Sequence, residues 1–193
     1  MTDLADVTWP VRTARLTLRL MQTEDLDVLW RIHSSPEGRQ WTGGVIDRPD
    51  FDARYSTPEN LATTLVVLLD DAVIGDVMVK VTDGWGQRPV LDQTKRVEAD
   101  LGWCFDASVH GRGYATETLE AVLDLCFSTL GIRRAFAEAF LANEPSWRLM
   151  ERVGMRREAH AVADSLHSEL GWLDGVRYAI LADEWRAAST TRR

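Results

Sequence analysis

The chain has 193 residues, 45% of them hydrophobic and 27% charged, with a formal charge of −8. That length fits one ordinary domain, 1–193, whose core needs neither disulfide nor metal, and the composition is that of a soluble globular protein. No run approaches the roughly 20 apolar residues of a membrane helix, the N-terminus carries acids rather than a basic apolar signal, and the acidic balance disfavours coating a nucleic acid. A cytoplasmic protein with no nucleic-acid partner and no membrane partner is expected, and the negative charge suits a cationic or amine ligand.

After a leader over 1–10, residues 13–20 (TARLTLRL) alternate apolar Leu16, Leu18 and Leu20 with Thr17 and Arg19, the period of a half-buried strand. Thr23 offers an N-cap, acids fill the next turn, and Leu26, Leu29, Trp30 and His33 recur at helical spacing, predicting a helix to about Ser34. Residues 35–60 are rich in Pro, Gly and charge and hold Trp41, Phe51 and Tyr55 without a clean period. They predict a short helix near 36–40 and then loop, a possible wall for a substrate.

Thr63–Leu69 and Val73–Val81 are β-branched runs parted by Asp70, Asp71 and Ala72, which predicts a hairpin, with Gly75 marking a bulge or a close backbone approach. Asp83–Arg96 reads as a long loop. Val97–Phe105 returns to strand. From Gly113 the apolar positions Ala115, Leu119, Val122, Leu123, Cys126, Phe127 and Leu130 mark one helical face that Gly131 ends.

Ala135–Leu141 predicts another strand, and Asn143 caps a helix, with Pro145 in its first turn, that stops at Gly154. Strands near Arg157–Ala163 and Val176–Leu181, turns at Gly171, Asp174 and Gly175, and a polar tail over 187–193 complete the chain. Cys104 and Cys126 have no Cys or His at metal-ligand spacing and read as buried thiols. His33, His110, His160 and His167 make no zinc pattern with them, so no metal is expected. Strand, crossover helix and strand over 97–141 make that strand pair parallel. With an antiparallel first half, the expected class is α/β of the α+β type: a mixed, mostly antiparallel sheet of about seven strands with helices on both faces.

The stretch HGRGYATE, residues 110–117, carries the most chemical information. Two glycines two apart lie between an alternating run and an amphipathic run, the pattern of a strand, a tight turn and a helix start. The first amides of a helix lack intrahelical partners, and the helix dipole adds partial positive charge there, so a phosphate or pyrophosphate is the natural guest. Alone, such a turn also serves ordinary chain reversal.

Taken with its surroundings, the chain resembles the GNAT acetyltransferase superfamily, whose acetyl-CoA motif is Gln or Arg, two residues, Gly, one residue, then Gly or Ala. His110, Gly113 and Ala115 occupy those positions. It is similar in particular to the ribosomal-protein alanine N-acetyltransferase branch, the RimJ/RimL type, through TARLTLR at 13–19, ADLGWCF at 99–105, HGRGYATE, NEPSWRLMERVGM at 143–155 and WLDGVRYAILADEW at 172–185. These segments cover nearly the whole chain in the family's order.

The resemblance implies a GNAT fold with the parallel strands 97–105 and 135–141 splayed, and acetyl-CoA as co-substrate. The pantetheine arm would lie along Trp103, Cys104 and Phe105. The pyrophosphate would sit on amides from Gly111 to Ala115, with His110, Arg112, Tyr114 and the Thr116 hydroxyl around it. His110 departs from the family's Gln or Arg. Asn143 matches the asparagine that hydrogen-bonds the pantetheine. Met150 stands where many members place a tyrosine that protonates the departing thiolate, while Ser146 occupies the branch's serine and becomes the candidate general acid.

Direct transfer to a neutral amine is implied, without an acyl-enzyme, and an ammonium acceptor must first lose its proton. Asp100 and Glu138, with Glu98 beside them, are the candidate carboxylates. Trp30, Trp41, Trp85 and Trp103 are candidates to line the acceptor pocket, with core packing as their ordinary use. The expected activity is N-acetylation of a primary amine such as a protein or peptide N-terminus. An antibiotic or metabolite acetyltransferase is one alternative and a non-catalytic acyl-CoA-binding regulatory module another. The family's habit and the eight tryptophans leave room for a homodimer.

Overall fold

A computed structural model describes residues 3–42 and 47–191. Eight strands form a mixed sheet in the order β1-β2-β3-β4-β5-β6-β8-β7, one strand more than the sequence predicts. They are β1 Val11–Arg12, β2 Thr17–Leu20, β3 Thr64–Leu69, β4 Ala72–Thr82, β5 Glu98–Phe105, β6 Arg134–Phe140, β7 Arg156–His167 and β8 Gly171–Leu181. The helices are α1 Leu26–His33, α2 Pro36–Trp41, α3 Arg48–Tyr55, α4 Pro58–Thr63, α5 Tyr114–Asp124, α6 Glu144–Arg152 and α7 Ala182–Thr191. Among the described residues no helix is long and apolar enough to cross a membrane. The chain divides into two compact units, one of residues 3–79 with 102–121, the other of 80–101 with 122–193.

In the first unit β1 to β4 form an antiparallel meander. The extra strand arises because 13–20 is not one strand: Val11↔Leu18 and Arg12↔Thr17 pair across a hairpin whose bend takes residues 13–16. Thr23 is not a helix cap, since residues 23–25 make a 3-10 turn in which the Asp25 carboxylate accepts from the Gln22 amide at 2.8 Å and from Arg19 at 2.7 Å. The β3–β4 hairpin forms as expected. Asp70 and Asp71, at φ +48 and +65, supply the left-handed pair that a two-residue turn needs, and Ala72 belongs to the strand.

The expected loop after 40 is corrected. Residues 48–55 and 58–63 are helices α3 and α4, each begun by a cap, Asp47 accepting from the Asp50 amide and Thr57 from the Asn60 amide, with Pro in the first turn. Capping overrode a missing apolar period; residues 43–46 lie outside the described residues. α3 then closes the core, where Phe51 is fully buried with Leu29, Ile32, Val66 and Cys104.

In the second unit the loop at 83–96 contains a 3-10 stretch, Arg88–Thr94. β5 and β6 pair in parallel, as expected, from Glu98↔Arg134 to Asp100↔Phe136, three residues of β5's eight. The helix begun at Tyr114 passes into a π-helical turn at Leu125–Thr129 before Gly131 ends it at φ +71. Asp174 and Gly175 are not turn residues but lie inside β8, because β7 and β8 extend to a hairpin closed at 168–170. The tail expected at 187–193 is helical in α7 as far as Thr191, and its last two residues lie outside the described residues.

Candidate functional site

Where β5 ends, the Asp106 amide donates to the Ile74 carbonyl at 2.9 Å, and the Asp106 side chain caps the short 3-10 turn Ala107–Val109. Hydrogen bonds from Ser108 hold the Asp106 carboxyl below its usual pKa. Gly111 and Gly113 follow at φ +73 and +80, where an L side chain costs about 1–2 kcal/mol. The first intrahelical bond of α5 runs from the Glu117 amide to the Gly113 carbonyl at 3.1 Å, so the Tyr114 and Ala115 amides precede it without helical partners. A Cβ built at Gly111 meets nothing within 4 Å. The turn therefore offers amides, dipole and open space together, a cradle that fits the pyrophosphate of a coenzyme A.

A clamp that sequence reasoning missed braces this turn. The Glu117 carboxylate accepts from the Thr13 hydroxyl (2.6 Å), the Arg15 amide (2.8 Å) and the Arg15 Nε (2.6 Å). Arg15 also donates to the Arg112 carbonyl at 3.0 Å and lies over the Tyr114 ring, 4.5 Å from its centroid. Burial works against Glu117's charge, but the bonds from Thr13 and Arg15 outweigh it and hold the pKa below the usual value. Thr13 and Arg15 stand inside a quoted family segment, yet nothing in spacing links residue 15 to 117. Tyr114 packs on Arg15, and the His110 Nε2 lies 3.1 Å from the Phe105 carbonyl, so both side chains brace the turn.

Trp103, Cys104 and Phe105 form the end of β5 in the same unit as the turn. Gly75 shows both features expected of it. The register skips Ile74 between Val67↔Gly75 and Leu68↔Val73, and a Cβ at Gly75 would stand 2.6 Å from the Cys104 carbonyl oxygen and 2.7 Å from Phe105 Cδ1. Cys104 is buried, as expected. It is not isolated: Cys104, His33 and Asp76 place one ligand atom each within 4.8 Å of one another, a juxtaposition of three elements that local spacing did not reveal. His33 Nε2 lies 2.8 Å from Asp76 Oδ1, and Tyr55 Oη lies 3.2 Å from His33 Nδ1. Trp30 packs edge-on to Phe51 at 5.5 Å, in its ordinary core role, whereas Trp85 is 91% exposed.

The second unit holds the other candidates. Asp100 is half-buried, and burial, with the Glu138 charge second, raises its carboxyl pKa. Glu138 is exposed and paired with Arg177 at 2.7 Å; Glu98 is paired with Arg134, which also binds Glu158. A half-buried carboxylate with a raised pKa, as Asp100 has, suits a general base. Asn143 precedes α6, but its side chain makes no capping bond, contrary to the cap expected of it. Ser146 sits half-buried in the first turn, its amide donating to the Asn143 carbonyl at 3.2 Å, while Met150 is fully buried.

Residues 15–156 match the family described as Acetyltransferase (GNAT) domain. The uncharacterized N-acetyltransferase YnaD of Bacillus subtilis is 35% identical over 179 residues, covering 91% of this chain and 98% of YnaD. The crystal structure of a GNAT-family acetyltransferase from Bacillus anthracis superposes with a TM-score of 0.76 at 24% identity, over 91% of this chain and 99% of that one. The aminoglycoside acetyltransferase AAC(6')-Ib, solved with coenzyme A, superposes with a TM-score of 0.72 at 20% identity, over 90% and 99%.

Proposed function

The chain belongs to the GNAT acetyltransferase family and is an acetyl-CoA-dependent N-acetyltransferase; we propose that its acceptor is a peptide or protein α-amine, as in the RimJ/RimL branch. The observation that carries the donor half is the Gly111–Gly113 turn at the head of α5, a ready anion cradle beside the end of β5. The acceptor half rests on the five segments that resemble that branch. A small-molecule amine is the second reading, favoured by the fold shared with AAC(6')-Ib.

In this reading the amides of Gly111 to Ala115 hold the pyrophosphate, with Arg112 and Thr116 beside them, and the backbone of Trp103 to Phe105 pairs with the pantetheine arm. Asn143, whose side chain is not spent on capping, hydrogen-bonds that arm. When bound, the co-substrate supplies an activated thioester acyl group. Asp100 takes the proton from the acceptor ammonium, Glu138 adds negative charge that attracts the cation, and Ser146 donates a proton to the leaving sulfur. A cytoplasmic location and a homodimer complete the proposal, the latter supported by exposed Val162, Leu166, Leu170 and Trp172 on the β7–β8 hairpin.

Thiol release from acetyl-CoA, measured across Ala- and Ser-starting peptides, polyamines and aminoglycosides, tests this. Peptide-dependent release that Gly113→Trp abolishes is the expected result, with Ser146→Ala slowing kcat only a few-fold because a CoA thiolate already leaves well. Release with aminoglycosides or polyamines alone moves the acceptor to small amines. Tight acetyl-CoA binding without release for any amine points to a binding module and overturns the catalytic roles.

A further inference from the structure

The first unit contains a group of side chains that acetyl transfer does not require. His33 at the end of α1, Asp76 in β4 and Cys104 in β5 are all buried, at 3%, 5% and 7% exposure, and their ligand atoms lie within 4.8 Å of one another. Cys104 shares an apolar cluster with Met21, Leu29, Ile32, Phe51 and Val66. An imidazole, a carboxylate and a thiol converging in such a place carry a desolvation cost that a shared cation would offset. We infer that His33, Asp76 and Cys104 form a structural site for a divalent transition metal of the zinc type.

The donor set selects the metal. One nitrogen, one oxygen and one sulfur suit zinc and its cobalt analogue, whereas magnesium and calcium take oxygen ligands almost alone. The three ligand atoms, within 4.8 Å of one another, draw into the spacing zinc requires when the ion binds. Bonds of about 2.0–2.1 Å to nitrogen and oxygen and about 2.3 Å to sulfur, at tetrahedral angles, separate the ligand atoms by roughly 3.3–3.6 Å. The 2.8 Å between His33 Nε2 and Asp76 Oδ1 opens by about half an ångström to admit the ion. A second Asp76 oxygen or a water supplies the fourth position.

Tyr55 provides the outer support such a ligand normally has. Its hydroxyl lies 3.2 Å from His33 Nδ1. Without the ion, Nε2–H donates to the Asp76 carboxylate; when a metal binds, that proton leaves to solvent, and Nδ1–H donating to Tyr55 Oη keeps the Nε2 lone pair for the ion. Phe51 stacks on Tyr55 with ring centroids 4.2 Å apart, which fixes the phenol. On binding, the Cys104 thiol gives up its proton to solvent and the sulfur becomes a thiolate ligand. The ion then ties α1 to β4 and β5, an internal staple that involves no substrate.

The test is cobalt(II) titration of the full chain after chelator and reductant treatment, followed by optical absorption. One equivalent of cobalt with a near-ultraviolet thiolate-to-cobalt charge-transfer band and visible bands of tetrahedral intensity is expected. Cys104→Ser removes the charge-transfer band, His33→Gln removes stoichiometric binding, and Cys126→Ser keeps both. Zinc at about 100 times its Kd raises the wild-type Tm by roughly 5–11 °C. A folded wild-type chain without the charge-transfer band at stoichiometric cobalt overturns the site, however the variants fold, as does a band that survives Cys104→Ser.

Discussion

Removing the charge from Glu117 tests whether the clamp holds the glycine turn in shape. The carboxylate accepts three bonds of 2.6–2.8 Å. Its side chain is 16% exposed but that of Arg15 is 45% exposed, so the ion pair itself is screened and contributes at most about 1 kcal/mol. The bonds from the Thr13 hydroxyl and the Arg15 amide add about 1 kcal/mol each. Glu117→Ala therefore costs about 2–3 kcal/mol and lowers Tm by roughly 4–12 °C. Glu117→Gln keeps an acceptor oxygen and loses about half as much.

The clamp's stability is pH-dependent with a definite sign. Glu117's folded pKa is depressed, so its contribution is present above the unfolded glutamate value and fades as pH falls through the folded one. Wild type and Glu117→Gln should differ at neutral pH and converge in acid. The functional assay is steady-state acetyl-CoA turnover: loosening the turn raises KM for acetyl-CoA about 5–10-fold, the equivalent of about 1–1.4 kcal/mol, with kcat changing less. A Tm that falls as calculated while KM stays within about twofold would refute the idea that the clamp shapes the co-substrate cradle.

Other substitutions probe separate parts of the argument. Gly111→Ala introduces a Cβ that meets no protein atom within 4 Å, so stability falls only by the cost of its positive φ, about 1–2 kcal/mol. A larger loss in calorimetric CoA affinity would locate the ligand against that glycine, and an unchanged affinity would exclude it. Gly75→Ala forces a Cβ to 2.6 Å from the Cys104 carbonyl and should destabilise by about 1–3 kcal/mol; a neutral thermal melt would contradict the close approach. If Asp100 is the base, its raised pKa places the acid limb of kcat/KM above the pKa of an ordinary aspartate, with activity falling as pH drops through it. Asp100→Asn should abolish that limb together with most of the rate, and a limb that survives in the variant assigns the proton transfer elsewhere.

Local order was legible in the sequence wherever it depends on neighbours in the chain. The β-branched runs Thr63–Leu69 and Val73–Val81 on either side of Asp70-Asp71, the glycines of HGRGYATE and the helix that ends at Gly131 all express backbone preferences and apolar periods within a few residues. Helices α3 and α4 escaped because caps at Asp47 and Thr57, rather than an apolar stripe, begin them, and the β7–β8 turn was misplaced because Gly175 serves in a strand. Tertiary structure alone decided the partners. Glu117 meets Thr13 and Arg15 across more than a hundred residues, and His33, Asp76 and Cys104 converge from a helix and two strands. Periodicity encodes which face of an element turns inward, but not which other faces it will meet there; that is set only when the elements pack, and so the chemistry of side chains brought together from distant parts of the chain became visible only in the fold.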